Sequence, residues 1–223
     1  MNLSVHAKSP TVVVVDYGMG NLRSAQKGLE KAGVNAVITS DPAAVQSADA
    51  VVLPGVGAFQ DCMANLTEAG LVAPVMGAIE QGKPFLGICL GMQLLMTISE
   101  EFGVHHGLDV IPGRVVRFDP DTELKVPHMG WNKVHYSGDN RLFEGIEDGS
   151  FFYFVHSYYV APEDGSVVCG WTDYGERFCS AIARDNLFAT QFHPEKSHNH
   201  GLKVLQNFGR IVSECSQPRK KED

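Results

Sequence analysis

The chain has 223 residues, 44% hydrophobic and 20% charged, the make-up of a soluble globular protein with a sizeable core and most simply one domain. Its formal charge of −8 at pH 7 argues against nucleic acid as the main partner, because non-specific binding to a phosphate backbone rests on a basic surface. No apolar run approaches the roughly 20 residues of a membrane span. The start, MNLSVHAKSP, lacks the apolar stretch of a signal peptide, so a cytoplasmic address is expected.

Residues 11–110 alternate between strand and helix patterns. TVVVV (11–15) is a β-branched run suited to a strand buried on both faces of a parallel sheet. NLRSAQKGLEKAG follows, with Leu22, Ala25, Leu29 and Ala32 at helical spacing and Gly33 as a stop. Next come the strand NAVIT, the helical PAAVQSA and the strand ADAVVL. An amphipathic helical stretch then runs from about Phe59 to Glu80, and PFLGI makes a fourth strand. Repeated βα units of this length predict a doubly wound, mostly parallel α/β sheet flanked by helices. After about residue 111 the texture changes to short β-rich runs broken by Gly, Pro, Asp and Asn: GRVVRF, NKVHY, SFFYFVHSYYV, SVVCGWTDY, FCSAIARDN and LFATQFHPE. These predict mixed or antiparallel strands in the C-terminal half. A last helix over roughly 199–214 turns Leu202, Leu205, Phe208, Ile211 and Val212 to the core, and the charged tail SQPRKKED follows.

The five cysteines (Cys62, Cys89, Cys169, Cys179, Cys215) are odd in number and contain no CxxC pair, so neither a disulfide scaffold nor a structural zinc site is expected. One of them stands apart. Gly87-Ile88-Cys89-Leu90-Gly91 has the G-x-nucleophile-x-G form at a predicted strand-to-helix junction. Such an elbow holds the nucleophile on a sharp turn at the carboxyl edge of a sheet, and crowded backbones there require small neighbours. A following helix would set its first amides and positive end near the sulfur. A thiol nucleophile also needs a base, and the base an orienting group. FATQFHPEKS places His193 and Glu195 two apart at the end of a predicted strand, on one face if the chain stays extended, with Pro194 stiffening the pair. Pro54-Gly55-Val56-Gly57 follows the third strand and is a source of backbone N–H donors to an oxyanion. In a doubly wound sheet all three segments emerge at carboxyl ends of strands, where ligands bind.

Three other chemistries fit less well. DYGMGNLRS resembles the opening of a dinucleotide-binding fingerprint, with Asp41 about 20 residues on, but Arg23 stands where the third glycine is needed. His193, His198 and His200 match no strong metal-ligand spacing. A binding module that keeps the elbow without chemistry is the third.

GICLGMQLL with HPE downstream resembles the class I (triad-type) glutamine amidotransferases. DYGMGN, LPGVGAF, PHMGWN, FYFVHSYY and FHPEKS are similar to one branch of that family, the glutaminase subunits of imidazole glycerol phosphate synthases. The match runs from about Thr11 to Glu214, which sets a single amidotransferase domain at 11–215, a leader at 1–10 and a charged tail at 216–223. The resemblance implies a Cys89–His193–Glu195 triad, with oxyanion donors from Leu90 and from Val56 or Gly57. Gln93, Glu101, Ser157 and Tyr158 would hold glutamine, and Asn21, Met129, Trp131 and Lys196 would face a partner. That partner would be a (β/α)₈-barrel cyclase forming a heterodimer with this chain and receiving ammonia from glutamine by a channel. No cofactor and no metal are implied. Two alternatives within the superfamily are the glutaminase subunit of another synthase and a stand-alone γ-glutamyl hydrolase. Trp131 as plain core packing is the alternative to an interface role, and His105-His106 are expected to be exposed loop residues without a part in the site.

Overall fold

A computed structural model describes residues 10–118, 124–136, 138 and 140–217. Of the expected leader only Pro10 is described, and the tail beyond 217 lies outside the described residues. In chain order the first half comprises β1 (Thr11–Val15), α1 (Leu22–Lys31), β2 (Asn35–Thr39), α2 (Pro42–Ser47), β3 (Ala50–Gly55), α3 (Phe59–Glu68), α4 (Val72–Glu80), β4 (Phe85–Cys89) and α5 (Leu90–Gln93). The second half comprises β5 (Met96–Ser99), β6 (His105–His106), β7 (Ile111–Arg117), β8 (His128–Tyr136), β9 (Ser150–His156), β10 (Tyr158–Pro162), β11 (Val168–Tyr174), β12 (Glu176–Arg184), β13 (Leu187–Thr190) and α6 (His198–Ser216).

The main sheet runs β2-β1-β3-β4-β13-β12-β10-β7-β5-β6. Its first five strands pair in parallel, and the pairings of β12 with β13 and with β10 are antiparallel. A side branch of β11, β8 and β9 leaves from β12, also antiparallel. This is the predicted α/β class. The alternation of a pleated strand divides the core in two. Val13 and Val15 of β1 join Val51, Leu53, Phe59, Cys62, Leu66 and Val75 beneath α2, α3 and α4. Val12 and Val14 join Leu29, Leu205, Phe208 and Ile211 beneath α1 and α6. A strand hydrophobic at every position is therefore what this sheet needs at β1.

Several expectations change in detail. The stretch 59–80 is two helices, not one: α3 ends before Gly70, which takes φ +67° as a left-handed C-terminal stop, and α4 departs at 93° to it. The FFYFVHSYYV run is two strands hinged at Ser157. His105 and His106 are not loop residues but a short strand paired antiparallel to β5, which itself had no sequence signature. No single helix among the described residues is long and apolar enough to cross a membrane.

Candidate active site

The carboxyl ends of β3, β4 and β13, adjacent in the sheet, open on a cavity of about 270 Å³. Val56, Gly57, Cys89, Leu90, Gln93, Glu101, Ser157, Tyr158, His193 and Lys196 all line it. Ten of the predicted site residues thus converge, although they come from segments spread over more than a hundred positions.

Cys89 ends β4 with φ +55° and ψ −110°, a conformation L residues avoid, so the elbow is strained as the motif predicts. The surrounding glycines make the turn sterically feasible. A Cβ on Gly91 would collide with the carbonyl of Leu53 on β3, and one on Gly87 would sit 2.9 Å from the carbonyl oxygen of Gly91. The helix after the thiol is shorter than the sequence suggests: α5 is a single turn, Leu90–Gln93. It offers the free amides of a first turn rather than the dipole of a long helix.

His193 and Glu195 meet, but not by strand alternation. β13 ends at Thr190; His193 is the last extended residue before a 3₁₀ turn, Pro194–Lys196, and that turn folds Glu195 back onto the ring. His193 Nδ1–H donates to Glu195 Oε1 at 2.8 Å, with both side chains almost wholly buried. His193 Nε2 has no hydrogen-bond partner, nor has Glu195 Oε2. Burial favours the neutral ring, but the charge on the Cys89 sulfur and the Glu195 carboxylate outweigh it and push His193 up to about 10. Burial pushes the Cys62 thiol up to about 11 and the Cys169 thiol up to about 12. Helix α1 braces the turn, since a Cβ on Gly28 would come within 3.2 Å of Glu195 Cβ.

The remaining lining is held by short polar contacts. Glu101 Oε2 accepts from the backbone N–H of Phe59 at 2.6 Å, which ties the segment after β5 to the start of α3. Gln93 is buried, and its amide nitrogen donates to the Tyr158 carbonyl at 2.9 Å and to Gln191 Oε1 at 3.1 Å. Gln191 Nε2 lies 3.6 Å from Cys89 Sγ. The sequence pattern assigned Gln191 no role; its one signal is its place in TQFHPE, two residues ahead of His193. On the Pro54–Gly57 loop, Tyr17 Oη donates to the Pro54 carbonyl at 2.7 Å and the Cys62 thiol to the Val56 carbonyl at 3.4 Å.

The predicted partner residues divide. Met129 and Trp131 are 63% and 45% exposed on β8, next to exposed Phe151 on β9, so core packing of Trp131 is excluded. The Trp131 ring stacks on His198 with centroids 4.9 Å apart. Asn21 is exposed at the start of α1 and does not line the cavity. Lys196 does line it, with Nζ 5.9 Å from the ring of Tyr153.

A strained cysteine elbow, a histidine–glutamate pair and a doubly wound sheet converging on one cavity define a class, and sequence comparison gives the same one. Residues 13–212 match the family model described as glutamine amidotransferase class-I, and the chain belongs to that family. Within it, the chain falls in the branch named imidazole glycerol phosphate synthase subunit HisH. It is 60% identical over 203 residues to the protein of that name from Syntrophotalea carbinolica, covering 89% of this chain and 98% of the relative. The HisH proteins of Geobacter sulfurreducens and Aquifex aeolicus are 55% and 54% identical, over 90% and 89% of this chain and 98% and 95% of theirs. The fold is shared with more distant solved structures. PurLQS from Thermotoga maritima superposes with a TM-score of 0.70 at 19% identity, over 92% of this chain and 100% of that one. The glutaminase domain of CTPS from Trypanosoma brucei does so at 0.68 and 17%, over 92% and 94%. The chain is accordingly a class I glutamine amidotransferase of the HisH branch.

Proposed function

We propose that the cavity hydrolyses glutamine through a thioester on Cys89 and that the ammonia is passed to a cyclase partner. The observation that carries this reading is the lining itself: a strained thiol, an oriented imidazole and the polar groups for an amino-acid substrate face one small space. His193 Nε2, which has no other partner, already holds the Cys89 proton, and the Cys89 thiolate attacks the side-chain amide carbon of glutamine. Glu195 holds the Nδ1–H tautomer and stabilises the imidazolium. The tetrahedral oxyanion is met by the N–H of Leu90 and by one from the Val56–Gly57 loop. His193 returns the proton to the departing nitrogen, ammonia leaves, and a γ-glutamyl thioester remains. The ring then removes a proton from water, whose attack on the thioester releases glutamate and restores the thiolate beside the protonated ring. Gln93, Glu101, Ser157 and Tyr158 position the substrate.

Ammonia then travels by a shielded channel to a (β/α)₈-barrel partner in a cytoplasmic heterodimer. There it completes imidazole glycerol phosphate and an aminoimidazole carboxamide ribotide in histidine biosynthesis. The exposed Met129–Trp131 face, with Lys196 close to Tyr153 on the paired strand, supports docking there. The test is Cys89→Ala in the complex. Glutamine-dependent synthesis should vanish while synthesis from free ammonium persists; loss of both would give Cys89 a structural role instead.

A further inference from the structure

From the cavity wall, which His156 helps to line, a line of hydrogen bonds runs through two histidines that the thioester chemistry does not use. His128 opens β8 and His156 closes β9; they are cross-strand partners, 3% and 6% exposed. His128 Nδ1 and His156 Nε2 are 2.9 Å apart. The direction of that bond follows from its ends. His156 Nδ1 lies 2.8 Å from the Tyr158 carbonyl, which only accepts, so Nδ1 carries the proton. His156 Nε2 is then an acceptor and His128 Nδ1–H its donor. His128 Nε2, left as an acceptor, faces the amide nitrogen of Asn132 at 3.2 Å. That amide is itself oriented, because its oxygen accepts from Lys133 N–H at 2.8 Å and its nitrogen donates to the Asp173 carbonyl at 3.1 Å. Both ends give the same polarity, and each ring has one tautomer. Burial keeps the rings neutral, holding His128 down to about 4 and His156 to about 3.

The inner end reaches the thiol. The Tyr158 carbonyl takes a second bond from Gln93, whose other amide proton goes to Gln191, whose amide nitrogen approaches Cys89 Sγ. The outer end lies on β8, the strand that exposes Met129 and Trp131. Shape alone would not require these nitrogens: His128 stacks on Tyr174 with centroids 4.0 Å apart and on Phe154 at 4.9 Å, contacts a phenyl ring would also make.

We infer that His128 and His156 are positioning residues: their interlocked tautomers fix the Tyr158 carbonyl, and through it the Gln93 amide that forms the substrate wall beside Cys89. The kinetic consequence rests on the glutaminase reading, whereas the tautomers do not. Nitrogen-resolved NMR of the full chain should show both rings protonated at Nδ1, bare at Nε2 and untitrated across neutral pH. A proton on Nε2 of His156 would overturn the inference. His128→Phe keeps the stacking and deletes the donor. In the cyclase complex its KM for glutamine should rise about tenfold, the worth of one hydrogen bond, with kcat changed less than about twofold. His156 should at the same time begin to populate the Nε2–H tautomer. His128→Gln, which can still donate toward His156, should recover most of the loss. A shifted tautomer with unchanged KM refutes positioning. A parent complex without glutaminase activity refutes the glutaminase reading and leaves the tautomer measurement standing.

Discussion

His193 is asked to do two opposed things, to be buried and to hold a proton. The Cys89 sulfur and Glu195 carboxylate decide the contest in favour of the proton, raising the ring well above the ordinary histidine range. Removing either group should therefore lower its titration midpoint. NMR titration of Cys89→Ala and of Glu195→Gln is expected to show His193 moving down from about 10 in both; an unmoved midpoint would mean the groups do not interact. The sign carries over to stability. A group whose native pKa is raised stabilises the fold fully below its unfolded value, and that contribution is lost as pH climbs through about 10. Thermal unfolding of Cys89→Ala should accordingly fall less between neutral and alkaline pH than that of the parent. The residue types of this pair were legible in FHPE because a carboxylate two positions from a histidine is a local pattern. Its geometry was not legible, since it depends on a 3₁₀ turn at Pro194 rather than on continued strand. His128 and His156 were invisible as a pair for a related reason: the register of β8 with β9 brings together residues 28 apart.

At the level of elements, the elbow works because β3 and the turn after β4 are in backbone contact at Gly91, and Gly91→Ala has nowhere to put its methyl group. Urea unfolding should show a loss of at least about 2 kcal/mol, the scale of overpacking in a close-packed interior. Gly70→Ala makes the contrast: nothing lies within 4 Å, and only the left-handed φ of +67° is at stake, so about 1 kcal/mol is expected. Equal losses at the two positions would deny the close approach. The first three parallel strands were legible because each is a short run rich in β-branched residues between helical patterns. The break between α3 and α4 was not, since apolar spacing continues across Gly70 while the axis turns. β5 and β6 carry no alternation of their own; they exist because β7 offers an edge beside the helical turn.

At the scale of the molecule, Met129, Trp131 and Phe151 form a face where, among the described residues, large apolar side chains cluster in the open on paired strands. An exposed tryptophan supported by a stacked histidine has the character of an interface anchor. Trp131→Ala should weaken cyclase binding by about 2 kcal/mol in calorimetric titration. The alkylation rate of Cys89 in the isolated chain should stay unchanged, which separates docking from assembly of the site. On the proposed reaction the cavity has to admit an oxyanion between Leu90 and the Val56–Gly57 loop, and that loop is tied back through the Pro54 and Val56 carbonyls. The glutaminase is thus expected to wait for its partner. Steady-state glutamine hydrolysis by the full chain, alone and then with a cyclase barrel carrying its ribonucleotide, tests this most directly. The chain should be nearly idle alone and active in the liganded complex; full activity without the partner would contradict the assignment to a synthase complex.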